Sequence, residues 1–174
     1  MEIEEEAMYR RKQVEKMTGL PARRIHFYTD QGLLPAVMKS TGRGIERQYS
    51  KDDVFRLAII REMAELGLAL QAIKTFLMEE EKTKAYYRAL GHEYFERISF
   101  KSFSQGQRCF FVNKRMSDDS QVFAVLTPRE LQDHLKRQFL IGQGEITDNG
   151  VGTDLVTSQI IIDLGNIFSK INWV

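Results

Sequence analysis

The sequence has little of what marks several large classes of protein. Of its 174 residues one is a cysteine, Cys109. That excludes an intrachain disulfide framework and any multi-cysteine metal site within one chain. No stretch approaches the ~18 consecutive apolar residues of a membrane-spanning helix. The opening MEIEEEAMYRR is acidic and then basic, with no apolar stretch, so neither a signal peptide nor a membrane partner is expected. The expected location is inside the cell. Net charge is small as well: 25 Lys and Arg stand against 24 Asp and Glu, leaving +1. That balance by itself predicts no partner. His92 and His134 lack the paired carboxylate–histidine spacing of a metal or catalytic site. The G-Q-G-E at 142–145 lacks the Lys-Ser/Thr of a phosphate loop. With no nucleophile–base pair and no cofactor loop, an enzyme is not expected, nor any cofactor or metal. What is present, 43% hydrophobic and 28% charged residues, describes a soluble globular chain of one ordinary domain or two small ones.

The small net charge hides a local excess. Residues 9–50 hold nine basic residues against three acidic ones, Glu15, Asp30 and Glu46, a segment charge of +6. A compact basic segment followed by a neutral body fits a module that meets a polyanion. A solvated basic surface is the plainer alternative.

Within that segment, Arg11 to Met17 reads as a short helix with Val14 and Met17 on one face. Thr18-Gly19 breaks it, and Pro21 suits an early position of a second helix that runs to about Asp30, with Ile25 and Tyr28 inward. Gly32 fits the left-handed position that ends such a helix. Two short helices joined by a tight turn describe a helix-turn-helix, whose second helix presents Arg23, Arg24 and His26 as a major-groove helix would. Val37 to Tyr49 reads as a basic two-stranded wing, with Arg43 near its tip and Arg47 on the return strand. Ser50 is a sound N-cap, with Asp53 three residues later. A helix over 51–66 would bury Val54, Leu57, Ala58, Ile60, Met63 and Ala64. Gly67 stops it, and Leu70 to Leu77 continues with Ile73, Phe76 and Leu77 at helical spacing.

The stretches QVEKMTGLPARRIHFYTDQGLLP and GRGIERQYSKDDVFRLAIIREMAELGLALQAIKTFL resemble the MerR family of bacterial transcription regulators. The resemblance covers residues 9–80 and rests on the G-L-L-P exit, the Arg-x-Tyr-Ser entry to the third helix and the L-G between the third and fourth. It implies DNA contact by Arg23, Arg24, His26, Phe27, Arg47 and Tyr49; Arg43 at the wing tip is expected to join them, and Lys12 either contacts phosphate or is simply solvated. Arg24 matches the variable neighbour suited to base readout, and Arg47 and Tyr49 match the wing's backbone clamps. Tyr28 and Tyr49 have core or hinge packing as their alternative. Where the family usually reads Arg-Tyr-Tyr, this chain has His26-Phe27-Tyr28. The resemblance gives His26 a phosphate contact and Phe27 packing or a phosphate contact. An imidazole and a ring without a hydroxyl imply a weaker, pH-dependent hold on phosphate. Glu46 stands where an aromatic is common.

Beyond Leu77, the polar MEEEKTK is expected to shorten or interrupt the fourth helix. Tyr86, Leu90, Tyr94 and Ile98 recur at helical spacing and match the family's antiparallel dimerisation helix, which Gly91 weakens. The tail from Phe100 does not match the family's best-known sensor segments. It reads as a small α+β domain: strands at Arg108–Asn113 and Gln121–Leu126, then a helix to about Phe139 opened by Thr127, Pro128 and Glu130. Ile160 to Ile171 fits either a helical stripe or a strand followed by a short helix. Phe100, Phe103, Phe110, Phe111 and Phe123 are either an apolar ligand pocket or the core of that domain. Cys109 within RCFFV reads as a buried small hydrophobe.

The expected architecture is mainly α: an acidic tail (1–8), a winged helix-turn-helix head (9–80), a linking or dimerisation helix (81–99) and an α+β effector or interaction domain (100–174). The expected function is a sequence-specific, homodimeric DNA-binding transcription regulator acting on promoter DNA. RNA polymerase and a small-molecule or protein effector are the further partners that reading allows. The resemblance implies work on DNA shape, in which the bound dimer distorts an over-long promoter spacer. The alternative is an architectural or recombination-type protein that uses the same head.

Overall fold

A computed structural model of the chain describes residues 7–34, 47–89, 99–115, 121–142 and 158–173. The chain forms two compact units. One comprises the residues up to Ser104 and the segment from Ile167 onward; the other runs from Gln105 to Asn166. In sequence the second unit is thus an insertion within the first.

The first unit begins with β1 (Tyr9–Arg10), α1 (Arg11–Thr18) and α2 (Ala22–Asp30). α1 turns Val14 and Met17 inward, and α2 turns Ile25 and Tyr28 inward, as their spacing predicts. The turn between the helices is built from its own residues. The Thr18 hydroxyl donates to the Val14 carbonyl at 2.8 Å and accepts from the Leu20 N–H at 3.2 Å. Gly19 adopts φ +70°, a left-handed position. Pro21 falls at the N-cap of α2, one residue before the helix itself. At the far end Gly32 takes φ +72°, and the Leu33 N–H donates back to the Tyr28 carbonyl at 3.1 Å.

β2 (Gln48–Tyr49) pairs antiparallel with β1, with Tyr9 opposite Tyr49 and Arg10 opposite Gln48. The return strand of the expected wing therefore finds its partner in the residues ahead of α1, which the sequence pattern did not suggest. The rest of the wing, Arg43 included, lies outside the described residues.

α3 (Lys51–Glu65) is the centre of this unit. Its N-terminus carries a capping box: the Asp53 N–H donates to Ser50 Oγ at 3.1 Å, and the Ser50 N–H donates to Asp53 Oδ2 at 3.0 Å. Val54, Phe55, Leu57, Ala58, Ile59, Ile60 and Met63 are all buried, so the helix is covered nearly all round. Phe55 and Ile59 join the expected set, whereas Ala64 is half-buried. α4 (Leu70–Ala89) buries Ile73, Phe76 and Leu77 and then runs unbroken through MEEEKTK. The expected interruption is thus corrected. Glu, Lys and Met are good helix formers, and Glu79 stands three residues before Lys82 and Glu80 four before Lys84, so a polar run here does not end a helix. The boundary expected at residue 80 falls inside this helix. α5 (Phe100–Ser104) is the last element before the chain enters the second unit.

Among the described residues the second unit holds a three-stranded antiparallel sheet and a helix: β3 (Phe110–Arg115), β4 (Gln121–Leu126), α6 (Pro128–Gly142) and β5 (Ser158–Asp163). The spatial order is β4-β3-β5. Phe111 faces Val125 on one side and Ile162 on the other. β3 begins at Phe110 rather than at the expected Arg108. Arg108 instead forms an ion pair with Asp163 at 2.8 Å, and the Cys109 carbonyl accepts from the Leu164 N–H at 3.0 Å. Cys109 itself is buried. α6 opens with the expected box: the Thr127 N–H donates to Glu130 Oε2 at 2.8 Å, and the Glu130 N–H donates to Thr127 Oγ1 at 3.4 Å. It extends to Gly142, beyond the expected end at Phe139.

α7 (Leu164–Ser169) follows β5 directly, so the strand-and-short-helix alternative for this stretch is the one the fold adopts. It carries the chain back into the first unit. There Phe168 lies 5.3 Å from the Phe55 ring and 5.7 Å from that of Phe103, and Trp173 lies 4.8 Å from Phe100. The Asn172 N–H donates to the Met17 carbonyl at 3.3 Å. The five phenylalanines, read as either one ligand pocket or the core of one domain, are therefore divided. Phe100 and Phe103 belong to the aromatic core of the first unit, while Phe110, Phe111 and Phe123 belong to the sheet of the second. No described helix is long and apolar enough to cross a membrane.

Candidate nucleic-acid interface

The helical period of α2 decides which of its side chains meet solvent. With Ile25 and Tyr28 buried, Arg23, Arg24, Phe27 and Asp30 are left outward. Arg23 and Arg24 are exposed, and among the described residues neither has an ion-pair partner. Lys12, on α1, is exposed as well. Exposed guanidinium groups without carboxylates beside them are available for bidentate contact with phosphate or with a guanine edge.

Two cations near them are held differently. Arg47, half-buried just before β2, forms an ion pair with Asp30 at the end of α2, Nη1 to Oδ1 at 2.9 Å. The pair ties the approach of the expected wing to α2 and offsets part of the Arg47 charge. Arg11, at the start of α1, brings Nη1 to within 2.8 Å of His26 Nε2, and its Nε lies 3.4 Å from Glu15 Oε1. A guanidinium can only donate, so Nε2 accepts and the imidazole proton sits on Nδ1. His26 thus offers a phosphate at most its Nδ1–H, with the Arg11 charge directly behind it. Sequence reasoning counted Arg11 only toward the local charge. The missing signal was spatial, since fifteen residues separate the two side chains.

Tyr49 is 2% exposed, so the packing alternative holds for it, and it is not part of the exposed face. Tyr9, opposite it in the sheet, is buried with it. Tyr28 is likewise core. Of the residues expected at a dimer seam, Tyr86 lies on α4, while Leu90, Tyr94 and Ile98 fall outside the described residues. His92 falls outside them too, and His134 of α6 meets Gln159 of β5 at 3.3 Å. Among the described residues no group of three His, Cys, Asp or Glu side chains could hold a metal ion.

The face is therefore a helix-turn-helix whose second helix displays exposed arginines, set on a core centred on α3. The model for the MerR HTH family regulatory protein matches residues 9–80. The N-terminal region is thus similar to a MerR-type helix-turn-helix. The same region is similar to the HTH-type transcriptional regulator YfmP of Bacillus subtilis (strain 168), with 41% identity over 66 residues. That match covers 37% of this chain and 46% of the relative, so the chain spans less than half of the relative's length. The MerR-type match coincides with the stretch that holds α1, α2, β2 and α3, and with it Arg23, Arg24 and Arg47. The inserted α+β unit, Gln105 to Asn166, lies wholly outside it.

Proposed function

We propose that this protein is a sequence-specific DNA-binding transcription regulator of MerR-like type, acting on promoter DNA as a homodimer. The observation that carries the reading is the pair of exposed arginines on the second helix of the MerR-type head, without ion-pair partners among the described residues. Arg24 reads a base edge, while Arg23, Lys12, Arg43 and Arg47 hold phosphates and fix the register of the module. Arg11 assists through His26. The α+β unit receives an effector, a small molecule or a protein, and RNA polymerase is the partner on the promoter.

Dimerisation follows from the size of the reading surface, since one such module covers too little DNA for high specificity and a twofold doubles the contacts. The seam is assigned to Tyr86, Leu90, Tyr94 and Ile98. Leu90→Asp is expected to give monomers in sedimentation; a full dimer would move the seam elsewhere. The reading as a whole is tested by selection of genomic fragments with the purified protein, followed by footprinting of the best site. A palindrome between promoter elements supports it. Unpatterned binding, or sites remote from promoters, would favour an architectural or recombination-type protein built on the same head.

A further inference from the structure

Phe27 stands out on the outward face of α2. Its side chain is 45% exposed, while its neighbours Ile25 and Tyr28 are buried at 0% and 5%. Arg23 and Arg24 lie one helical turn before it, four and three residues back, and Asp30 lies three residues after, gripping Arg47. The phenyl ring is thus an apolar island framed by guanidinium groups on both sides along the helix. Among the described residues its aromatic neighbour is Tyr28, with ring centroids 5.7 Å apart and planes at 57°. A polyanion drawn to these arginines brings mostly polar groups to the ring: phosphate oxygens, and the nitrogen and oxygen atoms of base edges. A phenyl ring can hydrogen-bond to none of them. The apolar group that double-stranded DNA presents in its major groove is the 5-methyl of thymine.

We infer that Phe27 is a specificity-determining residue that reads a thymine methyl group in the major groove. The inference rests on the proposed DNA-reading role of the head and adds to it the identity of one base. Phe27 contributes by removing a methyl group and the face of its own ring from water together. Removal of that methyl from the DNA should cost about fourfold in affinity, the weight of one buried methyl-sized group.

The test uses the full-length protein and duplexes that it selects from a random pool. Each thymine of the best duplex is replaced in turn by deoxyuridine, which lacks only the methyl group. The wild type is expected to lose about fourfold at one thymine per half-site. Phe27→Ala is expected to bind the thymine and uracil duplexes equally at that position, and Phe27→Leu, which keeps an apolar surface, to retain part of the difference. Because Phe27 is exposed, all three proteins should give superimposable circular dichroism spectra and melting curves. The inference is overturned if the wild type is indifferent to every replacement, or if Phe27→Ala keeps the same sensitivity. If no sequence is enriched from the pool at all, the DNA-reading role itself fails, an outcome distinct from both.

Discussion

Arg108 in the second unit and the arginines of α2 in the first use charge in opposite ways. In the second unit, Arg108 is bound to Asp163, whose other oxygen accepts the Asn166 N–H at 3.1 Å in the first turn of α7. That carboxylate caps a helix and holds a cation at once, a structural duty complete within the unit. In the first unit, Arg23 and Arg24 sit on a helix face with no carboxylate to meet among the described residues. An arginine that has found its partner has fewer donors and less uncompensated charge to offer a ligand. One without a carboxylate, on an otherwise well-packed helix, still has its donors to give. The difference supports the proposed DNA-facing surface more sharply than the segment charge of +6, which counts both kinds of cation alike.

The largest expected effect tests what holds the reading surface up. Phe55 is 1% exposed and meets Phe103 at 4.8 Å and Phe168 at 5.3 Å, so α3 depends on residues far along the chain. Phe55→Ala should lower stability by about 3–5 kcal/mol in urea unfolding. A decrease below about 1 kcal/mol would mean that the head is held without its aromatic core.

Next come the arginines of the reading surface. Arg24→Ala should relax sequence preference at one base position, weakening binding by about 1–3 kcal/mol on the selected site and far less on unrelated DNA. Equal weakening on all sequences would make Arg24 a phosphate ligand. Arg47→Ala should act more weakly and without regard to sequence, because Asp30 already holds that charge. The salt dependence of binding, log K against log salt, should flatten by about 1 for each phosphate that is no longer neutralised. An unchanged slope would place Arg47 with Arg108, as a structural cation, and would narrow the contrast to the arginines of α2.

Much of this was legible in the sequence wherever one local rule decided the outcome. The spacing of Val14 and Met17 and of Ile25 and Tyr28 set the faces of α1 and α2, and so the outward placement of Arg23 and Arg24; the same reading put His26 outward, where the fold half-buries it and exposes Phe27. Ser50 with Asp53, and Thr127 with Glu130, announced two helix starts. The failures have physical reasons too. A two-residue strand such as β1 has no periodicity to detect. The run at 78–84 reads as a break only if polarity is equated with irregularity, and its residues favour a helix. The contacts of Arg11 with His26 and of Phe55 with Phe168 join residues 15 and 113 positions apart, and no local pattern encodes them. The same limit hides the division of the five phenylalanines between two units.

The smallest expected effect concerns a carboxylate held mainly by its own helix. Asp53 is buried at the start of α3, and burial raises its pKa above the ordinary 3.8, with the hydrogen bonds from Ser50 and the charge of Arg56 opposing the rise. A carboxyl group whose pKa is raised on folding binds its proton more tightly in the native state than in the unfolded one. Its contribution to stability is therefore greatest below pH 3.8, declines as pH rises through the raised value, and is level above it. Asp53→Asn keeps an oxygen to accept the Ser50 N–H and removes the ionisation. The stability of the wild type relative to this variant should fall across that acidic window and stay constant toward neutral pH, as read from urea unfolding at several pH values. A difference that rises with pH would mean that Ser50 and Arg56 outweigh burial. The box at the head of α3 would then stabilise the ionised carboxylate, and this small buried charge would count as satisfied in the way that Asp163 is.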